Sequence, residues 1–241
     1  MVTMLSNNPS KQKSALIVEL VGLAGVGKTT LSRALSQRNE KIWVAADLEL
    51  RKREHFPIFA SHLLFWLPLL LRRTRSSRGF TWDEIKAMAY LKAWPHVLKE
   101  QAQQGGIAVL LDHGPVFKLA TLHAFGPERL QSRGFAPWWH RTFEQWAFTL
   151  DVVIWLNAPD KVLVQRIDAR QQQHTVKGKS EREAYDFFLR YGSSYEYILR
   201  KLATYGGAAY GGPTLLQFDT NQASIAQIVD EVLVACNLQR D

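Results

Sequence analysis

Cysteine is nearly missing from this sequence: among 241 residues Cys236 stands alone, which excludes an internal disulfide framework. Long apolar runs are scarce too. The longest, IFASHLLFWLPLLL from Ile58 to Leu71, falls short of the ~18 residues a membrane span requires and carries His62 and Pro68. A buried or groove-lining helix is the expectation there. The first residues, MVTMLSNNPSKQKS, contain no apolar stretch of the secretory kind, so a reducing cytoplasm and no membrane partner are expected. Internal repeats and low-complexity tracts are absent. With 46% hydrophobic residues, the chain can fill one core as a single domain over residues 1–241.

Acidic residues are in deficit, 22 against 30 Lys and Arg, and the surplus of +8 is unevenly placed. Residues 51–78 hold seven Lys or Arg against Glu54, and residues 161–182 hold six against Asp168 and Glu181. An anionic partner should meet the chain in these two stretches. Nucleic acid and polyphosphate both satisfy that condition.

Five short β-rich runs, ALIVELV, KIWVAA, IAVLLD, DVVIWLN and TLLQFDT, alternate with helical patterns. That alternation implies parallel strands joined by crossover helices, an α/β fold with a five-stranded parallel sheet. PWWHRTFEQWAFTL predicts a tryptophan-rich helix from about Pro137, and Ser180 with Glu183 forms a capping box for a helix ending near Ala203. Gly206, Gly207, Gly211, Gly212 and Pro213 are expected to interrupt the chain before the last strand.

The stretch GLAGVGKTT satisfies G-x-x-x-x-G-K-[ST] with Gly22, Gly27, Lys28 and Thr29, between a strand and a helix. Glycine serves here because the backbone must turn its N–H groups toward phosphate oxygens at close range. Gly22, Gly25, Val26, Gly27, Lys28, Thr29 and Thr30 are therefore the candidate ATP-binding residues, with Lys28 reaching the β and γ phosphates. Thr29 is the candidate Mg2+ ligand. Asp112, ending the third strand, is its candidate partner; the same position also suits a helix N-cap ahead of Pro115. His113 either faces an acceptor or is satisfied within the turn.

GLAGVGKTT, VLLDHG and DVVIWLNAPDKVLVQRIDAR, in this order, resemble the P-loop small-molecule kinases, the group of thymidylate kinase and the deoxynucleoside kinases. The resemblance implies a P-loop kinase fold with a helical acceptor-binding insertion at 48–106 and a lid with its following helix at 158–205. It also implies that Arg166 and Arg170 close over the donor phosphates as catalytic cations beside Lys28. Arg166, nearer the strand, is the stronger candidate; a solvated basic face is the alternative for both, and for His174, Lys177, Lys179 and Arg182. Phe187, Phe188, Tyr191 and Tyr195 follow one helical stripe and are expected in the core.

Two departures from thymidylate kinase put a thymidylate acceptor in doubt. His113 replaces that family's arginine, and AADLELRKREHFP lacks its arginine-proline-glycine stretch. Asp47 stands where deoxynucleoside kinases carry a carboxylate that takes the acceptor's proton, which makes it a candidate catalytic base; a helix N-cap in DLELRK is the alternative. Arg51, Lys52 and Arg53 argue instead for an anionic acceptor. Phe65, Trp66, Arg72, Arg73 and Trp82 are candidate pocket linings.

The expected activity is ATP- and Mg2+-dependent phosphoryl transfer to a nucleoside, nucleotide or other small metabolite that is anionic or hydroxyl-bearing. A regulatory NTPase acting on a protein is the alternative, although the N-K-x-D motif of guanine readers is absent. A nucleic-acid-associated ATPase is disfavoured because the cations cluster where the kinase reading already requires them. A homodimer is left open.

Overall fold

The five β-rich runs form five strands: β1 Leu16–Val21, β2 Ile42–Ala45, β3 Ala108–Asp112, β4 Val152–Asn157 and β5 Thr214–Asp219. The structure is a computed structural model that describes residues 15–45, 57, 60, 61, 64, 78–103, 107–171, 173–210 and 212–238. The strands make one sheet in the order β2-β3-β1-β4-β5, with every pairing parallel. The chain leaves β1 toward β2 and β3 on one side and later adds β4 and β5 on the other. The carboxyl end of β1 is thus a topological switch point, where open α/β sheets place their ligand crevice.

Helices α1 (Lys28–Arg38), α2 (Trp82–Gln103), α3 (Pro115–Phe125), α4 (Ala136–Ala147), α5 (Asp160–Asp168), α6 (Glu181–Tyr210) and α7 (Ile225–Ala235) flank the sheet. Alternation along β1 feeds both layers. Val18 and Leu20 pack in a core with Leu31 and Leu35 of α1, Leu163 of α5 and Ile228 of α7. Ile17 and Val21 turn to the opposite core, filled by residues of α2, α3, α4 and α6.

The capping box at Ser180 forms as the sequence predicts: Ser180 N–H donates to Glu183 Oε2 over 3.1 Å, and Glu183 N–H donates to Ser180 Oγ over 3.4 Å. The end of this helix differs from expectation. α6 passes through Gly206 and Gly207 to Tyr210 rather than stopping near residues 203–205. Tyr205 explains the extension. Its ring stacks on Phe143 at 5.7 Å, and its hydroxyl bonds His140 Nδ1 at 2.9 Å, so α4 holds the turn that the glycines weaken.

Asp47, Arg51, Lys52, Arg53, Phe65, Trp66, Arg72 and Arg73 lie outside the described residues, as does much of the 48–106 segment. Its described part from residue 82 onward is α2, and Trp82 is exposed at the start of that helix.

Pro95, inside α2, removes the N–H that would serve the carbonyl of Leu91. Trp146 of α4 supplies the missing donor. Its indole N–H bonds Leu91 O at 2.9 Å while the ring, fully buried, stacks on Tyr90. Trp146→Phe should therefore cost about 1–3 kcal/mol beyond lost packing, because the Leu91 carbonyl is left unsatisfied. Pro95→Ala restores a helical donor and should recover much of that loss in the double mutant. Urea denaturation of the four proteins in the cycle measures this; strictly additive losses would refute the compensation.

Candidate active site

The loop after β1 is shaped by glycine where no other residue fits. Gly22 has φ 144°, and a Cβ there would lie 2.4 Å from the carbonyl oxygen of Leu156. Gly25 (φ 86°) and Gly27 (φ 101°) are also left-handed, and Gly27 is the N-cap of α1. No side chain caps that helix and no acidic residue occupies its first turn, so its N–H groups and positive dipole end face an anion site. Val26 is buried beneath the loop, whereas Thr29 and Thr30 are exposed on the first turn.

Lys28 extends along the inside of the loop, its ammonium donating to the carbonyls of Gly22 (2.8 Å) and Leu23 (3.2 Å). Burial, reinforced by the charge of Arg170, lowers its pKa to about 8, and Asp112 opposes that change. Thr29 Oγ1 lies 3.5 Å from Asp112 Oδ2. Asp112 Oδ1 is buried without a hydrogen-bond partner among the described residues. A hydroxyl and a carboxylate are hard oxygen donors of the type Mg2+ takes, and the orphaned oxygen has unused capacity for a cation or its water. No group of three or more His, Cys, Asp and Glu side chains able to hold a metal occurs among the described residues, so a cation here would need phosphate and water to complete its shell.

Asp112 is not the helix cap. The N-cap of α3 is Gly114, without a side-chain cap bond. Glu19 of β1 takes over that task, its carboxyl accepting from the N–H groups of Val116 (2.8 Å) and Phe117 (3.1 Å). A Cβ on Gly114 would approach the Glu19 carboxyl carbon to 2.8 Å, which accounts for glycine at this place. His113, between them, has φ 62°, rare for a residue with a side chain, and its carbonyl accepts from Lys118 Nζ at 3.0 Å.

A cavity of about 680 Å³ opens from this loop. Lys28, Thr29, Asp112 and His113 line its polar end together with Arg170, Gln173, His174 and Thr175 from the segment after α5. Phe117, Thr121 and Phe125 of α3 and, facing them, Phe187, Tyr191 and Tyr195 of α6 complete its lining. The stripe expected in the core is buried there at Phe188, with α1 and α7, and at Tyr191 and Tyr195 in the opposite layer, while Phe187 is half-buried; Phe187, Tyr191 and Tyr195 also line the cavity. Two matched four-residue spacings, 117-121-125 and 187-191-195, are the signal that sequence reading missed: each puts three residues on one helix face.

The two arginines separate. Arg170 lines the cavity, whereas Arg166 donates to Thr220 Oγ1 (3.0 Å), to Thr220 O (3.1 Å) and, at 3.5 Å, to Gly25 O. Arg166 thereby ties α5 to the turn after β5 and to the phosphate loop. Lys177 bonds the Arg170 carbonyl, and Lys179 and Arg182 are exposed.

Glu19 also makes stability depend on pH. Complete burial, aided by Asp112, raises its pKa from 4.5 to about 8 against the opposing amides of Val116 and Phe117 and the charge of Lys118. The folded state therefore holds this proton at pH values where the unfolded chain has released it. The contribution is full below pH 4.5 and declines up to about pH 8, by at most about 1.4 kcal/mol per pH unit. Glu19→Gln should flatten this slope. Urea unfolding of both proteins from pH 4 to 9 tests it, and parallel pH profiles would contradict the assignment.

A family model described as an AAA domain matches residues 17–191. No curated protein sequence matches the chain. Among solved structures, it is similar to a deoxyadenosine kinase from M. mycoides solved with dCMP and a flexible dCDP, at 15% identity and TM-score 0.51, covering 93% of this chain and 100% of that one. A shikimate kinase from Bacteroides thetaiotaomicron matches at 15% identity and TM-score 0.50, covering 92% and 98%. A thymidylate kinase from Candida albicans matches at 11% identity and TM-score 0.51, covering 93% and 92%. At these identities the likeness is one of fold, the P-loop kinase fold that the motifs led us to expect.

Proposed function

The chain belongs to the AAA domain family, and from the site enclosed within it we propose an ATP- and Mg2+-dependent kinase of a small metabolite. One observation carries this reading. Asp112, whose buried Oδ1 makes no hydrogen bond among the described residues and lies 3.8 Å from His113 Nδ1, stands beside the phosphate loop on the wall of a cavity of about 680 Å³, large enough for an acceptor next to a polyphosphate. The fold neighbours, named for deoxyadenosine, shikimate and thymidylate, support a small-molecule acceptor.

When bound, ATP supplies the phosphoryl group and Mg2+ neutralises part of its charge. The chain's own work is cradling, charge placement and proton transfer. Gly22, Gly25, Val26, Gly27, Thr29 and Thr30 form the loop and first turn whose amides receive phosphate oxygens. Lys28 gives up its two carbonyl partners for the phosphates, and a nearby anion restores the protonation that burial weakens. Thr29 and Asp112 hold the cation. Arg170, on the cavity wall, stabilises charge that spreads during transfer, while Arg166 acts by fixing α5 against the loop. In this reading residues 158–205 serve as the lid and its supporting helix, and the 48–106 segment contributes to the acceptor pocket.

Asp47 follows the end of β2 by two residues, and β2 points its carboxyl end to the same sheet edge as β1. We assign it the base role for a hydroxyl acceptor, since a hydroxyl gains from a positioned carboxylate and an ionised phosphate does not.

Incubating the protein with ATP, Mg2+ and a metabolite library, followed by mass spectrometry, tests the proposal. Lys28→Ala should abolish nearly all product while retaining the wild-type circular dichroism spectrum; full activity in that folded variant would end the kinase reading. Asp47→Asn should lower single-turnover rates on a hydroxyl acceptor by roughly 10²–10⁴ with ATP affinity little changed. An unaltered chemical step on such an acceptor would reduce Asp47 to a helix cap.

A further inference from the structure

The segment between α5 and α6 carries a histidine whose surroundings fix its protonation and its direction of donation. Val176 N–H donates to His174 Nδ1 over 3.3 Å. Val176 is itself anchored, 4% exposed, in the core that includes Ala184 and Phe188 of α6. Further backbone bonds close the turn: Lys177 N–H to His174 O (3.1 Å) and Lys179 N–H to Val176 O (3.1 Å), with Gly178 left-handed at φ 74°. On its other side the imidazole meets the ring of Phe187 edge-on at 6.1 Å. The amide that pairs with His174 is thus held by packing.

A nitrogen that accepts from a backbone amide must present its lone pair, so Nδ1 is unprotonated and the ring proton resides on Nε2. Electrostatics selects the same form. Burial, followed by the charges of Lys28 and Arg170, disfavours the imidazolium and lowers the His174 pKa. Hydrogen bonding and charge independently give a neutral ring with one donor, Nε2–H. That donor has no hydrogen-bond partner among the described residues, and His174 lines the cavity with Lys28, Arg170 and Thr29. A neutral donor adds a hydrogen bond where a third cation would repel the other two.

We propose that His174 is a phosphate ligand carried by the turn between α5 and α6, donating from Nε2 to the polyphosphate that Lys28 and Arg170 neutralise. The proposal rests on the P-loop reading above and extends it to a side chain outside the loop. It also gives His174 no role as a base, because Nε2 in this tautomer has no lone pair to offer.

The test compares His174→Ala, His174→Asn and His174→Gln by calorimetric titration with two probes, ATP with Mg2+ and inorganic triphosphate with Mg2+. A Gln amide nitrogen reaches about as far as Nε2, whereas an Asn amide reaches only about as far as Nδ1. His174→Ala and His174→Asn should weaken both probes by about 10–150-fold, the loss of one hydrogen bond to a charged acceptor. His174→Gln should stay within about 3-fold of wild type. The proposal is overturned if His174→Ala binds both probes like wild type, if Asn rescues and Gln does not, or if only ATP binding suffers, which would move the contact to the nucleoside. Wild-type protein that binds neither probe would overturn the P-loop reading together with this one, whereas normal wild-type binding with an indifferent His174→Ala defeats this one alone.

Discussion

The hydrogen bonds from the Val116 and Phe117 amides to the carboxyl of Glu19 hold the two halves of the site together. Glu19 belongs to β1, the strand that delivers the phosphate loop, and the two amides open α3, the helix that brings Phe117, Thr121 and Phe125 to the cavity. A carboxyl with no exposure, beside Ile17 and Val21 on a face that is otherwise apolar, is costly unless satisfied. The free amides at a helix start satisfy its oxygens. The turn between β3 and α3 must then be short, and it is: only His113 and Gly114 separate Asp112 from Pro115, with the left-handed His113 absorbing the bend. Asp112 is thereby held in place beside Thr29.

The opposite wall is fixed by different means. α6 carries Phe187, Tyr191 and Tyr195 against α3, with Phe117 stacked on Tyr191 at 6.1 Å and Phe125 on Phe187 at 5.3 Å. The hydroxyls of Thr121 and Tyr191 bond each other across the gap, and Tyr195 reaches the Gly22 carbonyl at 3.5 Å. Ring contacts join the two helices along the cavity, and through Tyr195 the aromatic wall reaches the phosphate loop.

Much of this was legible in the sequence because it depended on local patterning. The five strands announced themselves by β-branched runs, the phosphate loop by its glycines and the start of α6 by Ser180 and Glu183. What could not be read depended on pairings across the chain. Glu19 looks in sequence like a polar interruption of a strand, and only the arrival of α3, some 97 positions later, gives it partners. The same holds for the Leu91 carbonyl, freed by Pro95 and recovered by Trp146 from 55 residues away. Periodicity places Phe188, Tyr191 and Tyr195 of α6 in the core, where the fold buries them, but it does not tell that a cavity lies against Tyr191, Tyr195 and the half-buried Phe187. Tyr205 extended α6 through glycines that local propensity would have made its end.

The charge of residues 161–182 illustrates why composition alone underdetermines a site. On the sequence the run is a uniform basic tract, open to being a lid or a solvated face. In the fold its members take different employment. Arg166 is spent on Thr220 and Gly25, and Lys177 on the carbonyl of Arg170. Within this run only Arg170 among the described Lys and Arg residues lines the cavity. The tract therefore supplies structure first and a single cation second, with the neutral imidazole of His174 beside it. Such an arrangement limits self-repulsion around Lys28, whose own charge is already weakened by burial, and keeps the loop able to hold its cation before any phosphate arrives.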